Sequence, residues 1–69
     1  MTKTSALKVG SKLEWDCYVG QGPTIVVTVT YVTKGKVFVE WRNEHGDLIV
    51  NYWSRRELNK TRNIRVLSV

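Results

Sequence analysis

The sequence predicts an all-β domain with five strands and one short helical turn before the last strand. From residue 11 onward, apolar and polar side chains alternate with a period of two, as expected for strands with one buried face. Glycine-containing turns separate these runs, and a serine-capped segment precedes the final one. A chain of 69 residues is enough for one small domain. We therefore expect a flexible N-terminal tail over residues 1–9 and a single domain over residues 10–69.

The first strand, predicted over residues 11–20, places Leu13, Trp15 and Cys17 on its buried face. Cys17 is therefore interpreted as a buried, inert thiol. A lone cysteine without the Cys/His spacing of a zinc site favours a reducing, cytoplasmic setting. The second strand, "TIVVTVTYVT", carries apolar side chains on both faces, and Tyr31 is assigned to the inner one. Such a strand is typical of a sheet that bends back on itself.

The turn between the second and third strands admits two registers. A three-residue loop that ends with Gly35 in a left-handed conformation pairs Tyr31 with Val37, both on the inner face. A two-residue loop sets Thr30 against Val39 and so mixes the buried and exposed faces. We therefore expect the three-residue loop.

The turn between the third and fourth strands also has alternatives. A four-residue loop with Gly46 in a left-handed conformation pairs Val37 with Tyr52 and makes Tyr52 part of the core. A three-residue loop would bury Asn51 without an evident partner, which is costly, so the four-residue loop is preferred.

The preferred register predicts an exposed apolar patch on the outer face of the central hairpin. Phe38, Ile49 and Trp53 fall together there, beside Arg42. Exposed groups of this kind lower solubility unless something covers them. The tail, the closing strand, a second copy and a partner molecule are the alternatives.

The segment "NYWSRREL" predicts the end of the fourth strand and the start of the helical turn. Ser54 and Glu57 have the spacing of a capping box, which places the turn over residues 55–59. The last strand, "NIRVLSV", then inserts Ile64 and Val66 into the core.

The formal net charge of +5 is concentrated near the two ends of the chain. Such a surplus favours contact with nucleic acid or with an acidic protein surface. Phe38 and Trp53 are the aromatic side chains expected to stack on a partner. The cations expected to contact it are Lys34, Lys36, Arg42, Arg55, Arg56, Lys60, Arg62 and Arg65.

The motifs of several other functions are missing from the sequence. It contains no phosphate loop, dinucleotide fingerprint or paired-carboxylate cleft, so we expect neither an enzyme nor a bound cofactor or metal. The longest apolar-rich run, "TIVVTVTYV", is too short to span a bilayer, so no membrane association is expected.

The layout resembles small SH3-like and Tudor-like barrels. The resemblance rests on "VGSKLEWDCYV" as first strand, "GKVFVEWRNEHGDLIVNYW" as central hairpin and "SRREL" as the turn before the closing strand, and covers roughly residues 9 to 67. The chain is also similar in layout to small uncharacterised bacteriophage proteins. The resemblance implies a five-stranded SH3-like small barrel.

These observations predict a non-enzymatic small-barrel binding module that contacts nucleic acid through a basic and aromatic surface. The alternative is a protein-interaction module, such as a phage product that binds and modulates a host protein. The two differ in whether the apolar patch and the basic turn share one face, and the sequence leaves this and the oligomeric state open.

Overall fold

The computed structural model describes residues 7–16 and 22–69 as one antiparallel sheet with a single short helix. This confirms the all-β prediction. The elements are β1 (Lys12–Trp15), β2 (Ile25–Val32), β3 (Lys36–Arg42), β4 (Leu48–Ser54), α1 (Arg55–Lys60) and β5 (Ile64–Ser68). The strand order is β4-β3-β2-β1-β5, and the sheet is not closed. The predictions for Cys17 and for tail residues 1–6 lie outside the described residues.

The core lies on the inner face of the sheet, where β-branched and leucine side chains from several elements meet. The buried apolar residues are Leu7, Leu13, Val27, Val29, Val37, Val39, Leu58 and Ile64. Leu7 belongs to the segment predicted as tail, yet only 5% of its surface is exposed. Helix α1 contributes Leu58, which lies one turn after its cap. Burying side chains of this size contributes about 1.5 to 3 kcal/mol each.

Three tryptophans line the same inner face and show that the sheet curls. The Trp15 ring on β1 lies 5.4 Å from that of Trp41 and 5.1 Å from that of Trp53, both in edge-to-face arrangements. In a flat sheet β1 and β4 would be about 14 Å apart, because three strand spacings separate them. Ring contact between β1 and β4 therefore requires strong curvature.

The first hairpin combines both registers that the sequence admits. Tyr31 pairs with Phe38 next to the turn, whereas Val29 pairs with Val39 farther along, and Thr30 forms a bulge between them. The predicted three-residue loop is wrong, as is the left-handed conformation of Gly35. A two-residue turn forms instead. Farther from the turn, the bulge at Thr30 shifts the pairing by one residue, so that Val29 again lies on the inner face. The prediction of Tyr31 as a core residue is also wrong, since its side chain is exposed on the outer face.

The turn itself is held by a side chain. The Thr33 hydroxyl accepts hydrogen bonds from the backbone N–H groups of Gly35 (3.3 Å) and Lys36 (2.9 Å). Threonine hydroxyls commonly close turns in this way. The Thr33 N–H also donates to the Lys36 carbonyl at 2.9 Å. These bonds favour the two-residue loop over the longer one.

The second hairpin adopts the register that the sequence disfavoured. Trp41 pairs with Ile49 and Val39 with Asn51, so a three-residue loop connects the strands. Gly46 is left-handed as predicted, with φ of 83°. Asn51 is half-buried rather than fully enclosed. This avoids the free-energy cost of burying an unpaired amide, which was the reason for ranking this register lower.

The change of register exchanges the two faces of β4. Ile49 and Trp53 turn toward the inner face and Tyr52 turns outward, so the predicted patch of Phe38, Ile49 and Trp53 does not exist. The Asn43 side chain helps to fix this register, because its carbonyl oxygen accepts from two backbone N–H groups of the turn, at 2.9 and 3.0 Å.

We predict opposite effects for alanine at two turn glycines. Gly46→Ala should lower the free energy of unfolding by about 1 to 2 kcal/mol, because a left-handed backbone is unfavourable for a residue with a β-carbon. Gly35→Ala is the matched control: Gly35 is not left-handed and an added β-carbon meets no atom within 4 Å, so this change should be neutral or slightly stabilising. Urea denaturation of both variants measures the difference. Equal destabilisation by the two changes would contradict the turn assignment.

Candidate nucleic-acid interface

Three aromatic rings form a row across the outer face of the sheet, one from each of three neighbouring strands. The Phe38 ring on β3 lies in the middle, 5.9 Å from that of Tyr31 on β2 and 5.4 Å from that of Tyr52 on β4. We call these three residues the aromatic row. Cross-strand pairing at Tyr31–Phe38 and Phe38–Tyr52 places the rings side by side.

The two tyrosines of the aromatic row are open to solvent. Tyr31 is 60% exposed and Tyr52 is 52% exposed, while Phe38 between them is half-buried. A shallow groove of about 460 Å³ runs beside the rings, and Val50 forms part of its wall. A contiguous exposed row of large side chains makes this face the candidate binding surface.

A cluster of cations adjoins the aromatic row at one end of the sheet. The Lys36 ammonium lies 4.8 Å from the centre of the Tyr52 ring, within the range of a cation–π contact. Lys34 is exposed in the adjacent turn. Arg55 and Arg56 follow β4 directly, at the same end, because Lys36 pairs with Ser54. We call Lys34, Lys36, Arg55 and Arg56 the basic end.

The start of α1 positions the two arginines of the basic end. Ser54 accepts a hydrogen bond from the Glu57 N–H at 3.0 Å, and the Glu57 carboxylate accepts from the Ser54 N–H, which confirms the predicted capping box. The two arginines then differ. Arg55 donates from its guanidinium Nε to the Thr33 carbonyl at 3.0 Å, and from its backbone N–H to the Gly35 carbonyl at 3.0 Å. Arg55 therefore ties the helix to the β2–β3 turn, whereas Arg56 is exposed.

The fold brings together half of the residues predicted from sequence to contact a partner. These are Lys34, Lys36, Phe38, Arg55 and Arg56. Tyr31 and Tyr52 also belong to the site, although the sequence assigned both to the core. The sequence contained the signal for both tyrosines. A two-residue loop between β2 and β3 sets Tyr31 opposite Phe38, and a three-residue loop between β3 and β4 sets Tyr52 opposite Phe38.

The other predicted contact residues lie elsewhere. Arg42 is at the far end of β3, six residues or roughly 20 Å from Lys36, and its guanidinium donates to the Gly46 carbonyl at 2.8 Å. Trp53 packs on the inner face. Arg65 pairs with Glu14 at 2.7 Å across β1 and β5. Lys60 and Arg62 lie at the opposite end of α1 from the basic end.

The described residues offer neither a metal site nor a membrane span. Within residues 7–16 and 22–69, no group of three or more histidine, cysteine or acidic side chains is placed to hold a metal ion. In the same part of the chain, no helix is long and apolar enough to cross a bilayer.

Comparison of the chain with protein-family models, with curated proteins and with solved structures gives no match.

We predict that the two adjacent arginines differ in their contribution to stability. Arg55→Ala should lower the free energy of unfolding by about 1.5 to 3 kcal/mol, because it removes a charge-assisted hydrogen bond to a part-buried carbonyl. Arg56→Ala should change it by less than about 0.5 kcal/mol, as is usual for an exposed charge. Chemical denaturation of the two variants tests the contrast. Equal stability of both variants would show that Arg55 does not anchor the turn.

Proposed function

We propose that this chain binds single-stranded nucleic acid on the outer face of its sheet. Unpaired bases stack on the aromatic row, and neighbouring phosphates contact the basic end. The observation that carries the proposal is the position of the Lys36 ammonium over the Tyr52 ring, which joins the cationic cluster to the row of three rings.

The exposed rings favour a single strand over a duplex. A base has a π-face that an aromatic side chain can stack on, but in a duplex that face is already covered by neighbouring bases. The rings of the aromatic row are inclined to one another by 39° and 50°, so each ring presents its own surface to a base. Stacking of this kind tolerates many sequences, and we expect little sequence preference.

The charge distribution supports phosphate contact at one end of the row. Lys34, Lys36 and Arg56 are exposed. Glu57 is the acid nearest to Arg56 along the chain, and its carboxylate faces the Ser54 backbone in the capping box. Glu40, the acid nearest to the two lysines along the chain, lies on β3 four residues beyond Lys36. A net charge of +5 adds long-range attraction to a polyanion. Each phosphate that a lysine or arginine neutralises releases counterions, which makes the affinity depend on salt.

We also propose that the curled sheet is an SH3-like small barrel. Four consecutive antiparallel strands, a helix between β4 and β5, and pairing of β5 with β1 support this assignment. The contact between the Trp15 and Trp53 rings supports it further, because it brings β1 close to β4. A non-enzymatic role and a cytoplasmic location remain predictions from the sequence.

A protein partner is the second candidate. The groove beside the aromatic row supports it, because Val50 on its wall is 71% exposed and the three rings line it as well. Exposed aromatic anchors with a cationic rim are typical of protein interfaces. In that case the basic end would face an acidic surface.

We predict that removing a ring from the aromatic row weakens binding to a single-stranded oligonucleotide. Tyr31→Ala should reduce affinity roughly 5- to 150-fold, since one stacked base contributes about 1 to 3 kcal/mol. Fluorescence anisotropy with a labelled oligothymidine at low ionic strength measures the change. Val26→Ala is the control, because Val26 is similarly exposed on β2 but lies five residues from Tyr31. It should bind like the unmodified protein.

The salt dependence tests the basic end separately. Lys34→Gln should reduce the slope of log affinity against log salt by roughly 0.7, the value for one phosphate contact on a single strand. Lys60→Gln, at the other end of α1, should leave the slope unchanged. If the unmodified protein shows no salt-dependent binding to a single strand, nucleic-acid binding is wrong and the protein partner becomes the leading function.

A further inference from the structure

The two edge strands of the sheet differ in how well they are protected against pairing. Strand β5 is short, carries Arg65 and is irregular, because its pairing with β1 shifts register between Lys12 and Leu13. Strand β4 has seven residues, "LIVNYWS", with no charge and no proline, and it pairs with β3 without a register shift. Charges, prolines and bulges are the devices that normally prevent an edge from pairing. Strand β4 has none of these devices.

The hydrogen bonds at the two ends of β4 show which backbone groups point to its open edge. The Asn43 N–H donates to the Asp47 carbonyl at 3.0 Å, and the Arg55 N–H donates to the Gly35 carbonyl at 3.0 Å. In an antiparallel pair, residues bonded to the partner strand alternate with residues whose groups point away from it. The N–H and carbonyl groups of Leu48, Val50 and Tyr52 therefore point away from β3. No other described strand pairs with that edge.

We propose that β4 is an interface between two copies of this chain, which pair antiparallel along this edge. A two-fold axis perpendicular to the sheet relates the copies and joins their sheets into one. The Leu48, Val50 and Tyr52 groups of each copy then bond to those of the other. The same three side chains are exposed on the outer face, between 50% and 71%, and pairing would cover part of them.

Charge complementarity selects a second copy as the occupant. The turn before β4 carries Glu44 and Asp47, and the segment after it begins with Arg55 and Arg56. An antiparallel two-fold arrangement centred on Val50 or on Asn51 brings the acidic turn of one copy to the arginines of the other. The attraction occurs twice, once at each end of the paired strands. An unrelated peptide would need the same charges in the same order.

The arrangement places both outer faces on the same side of the joined sheet. The aromatic rows of the two copies would then flank the paired strands on one continuous surface. The proposal does not depend on nucleic-acid binding, because it concerns the edge of β4 and is tested without any ligand.

Amide hydrogen exchange, resolved by residue, tests the pairing directly. Raising the concentration of the protein should slow exchange at Leu48, Val50 and Tyr52, whose N–H groups point to the open edge. Asn51 and Trp53 serve as internal controls, because their N–H groups already face β3. Exchange rates at Val50 and Tyr52 that do not vary with concentration would overturn the proposal. Protection that appears only after a different protein is added would also overturn it.

Two matched substitutions test the interface by molar mass. Light scattering should give twice the chain mass for the unmodified protein at high concentration, and the mass of one chain for Val50→Lys. Val26→Lys is the control, because Val26 is 53% exposed but lies on β2, which is paired with a neighbouring strand on both sides. It should remain dimeric. A Val50→Lys protein that dimerises as well as Val26→Lys would place the interface elsewhere and overturn the proposal.

A charge exchange tests the complementarity. Asp47→Lys should weaken the dimer at least tenfold, because it places a lysine of one copy next to the arginines of the other at both ends of the paired strands. Adding Arg56→Glu to Asp47→Lys should restore most of the affinity. If the double variant is as weak as the single one, the acidic turn does not meet the arginines.

Discussion

The register of the strands is the constraint on which the rest of the structure depends. A shift of one residue moves every side chain of a strand to the opposite face. Two local features set the register here: the bulge at Thr30 and the turn that ends at Gly46. Without the bulge, Tyr31 would fall on the inner face. With a turn one residue longer, Tyr52 would join it there and Trp53 would point to solvent.

The same constraint sorts the aromatic residues into two sets with different roles. The three tryptophans pack edge to face on the inner side, where they link β1 to β3 and β4. Contacts of this geometry contribute about 0.5 to 1.5 kcal/mol each beyond the burial of the rings. Tyr31, Phe38 and Tyr52 occupy the outer side, where they contribute little to the core. The structure thus separates rings that stabilise the fold from rings that are available to a partner.

Local signals made part of this structure predictable from the sequence. The Ser54–Glu57 capping box and the left-handed Gly46 depend on neighbouring residues and were predicted correctly. The inner and outer faces of β4 were predicted wrongly. Leu48, Val50 and Tyr52 alternate with Ile49 and Trp53, and either set could form a core. The choice depends on hydrogen bonds between backbone groups and the side chains of Thr33 and Asn43, which accept, and Arg55, which donates; the alternation of apolar and polar residues does not reveal them. Phe38 and the cations near it were predicted from the sequence as site residues, whereas the two tyrosines beside Phe38 were assigned to the core.

The claim that most needs a direct test is that the outer rings, not the inner ones, meet the partner. Nuclear magnetic resonance can follow the ring signals of every aromatic residue during titration with a short oligothymidine. If a single strand binds on the outer face, the rings of Tyr31, Phe38 and Tyr52 should shift together and saturate with one affinity, while the indole signals of Trp15, Trp41 and Trp53 stay in place. Shifts of the indoles with unchanged outer rings would contradict it.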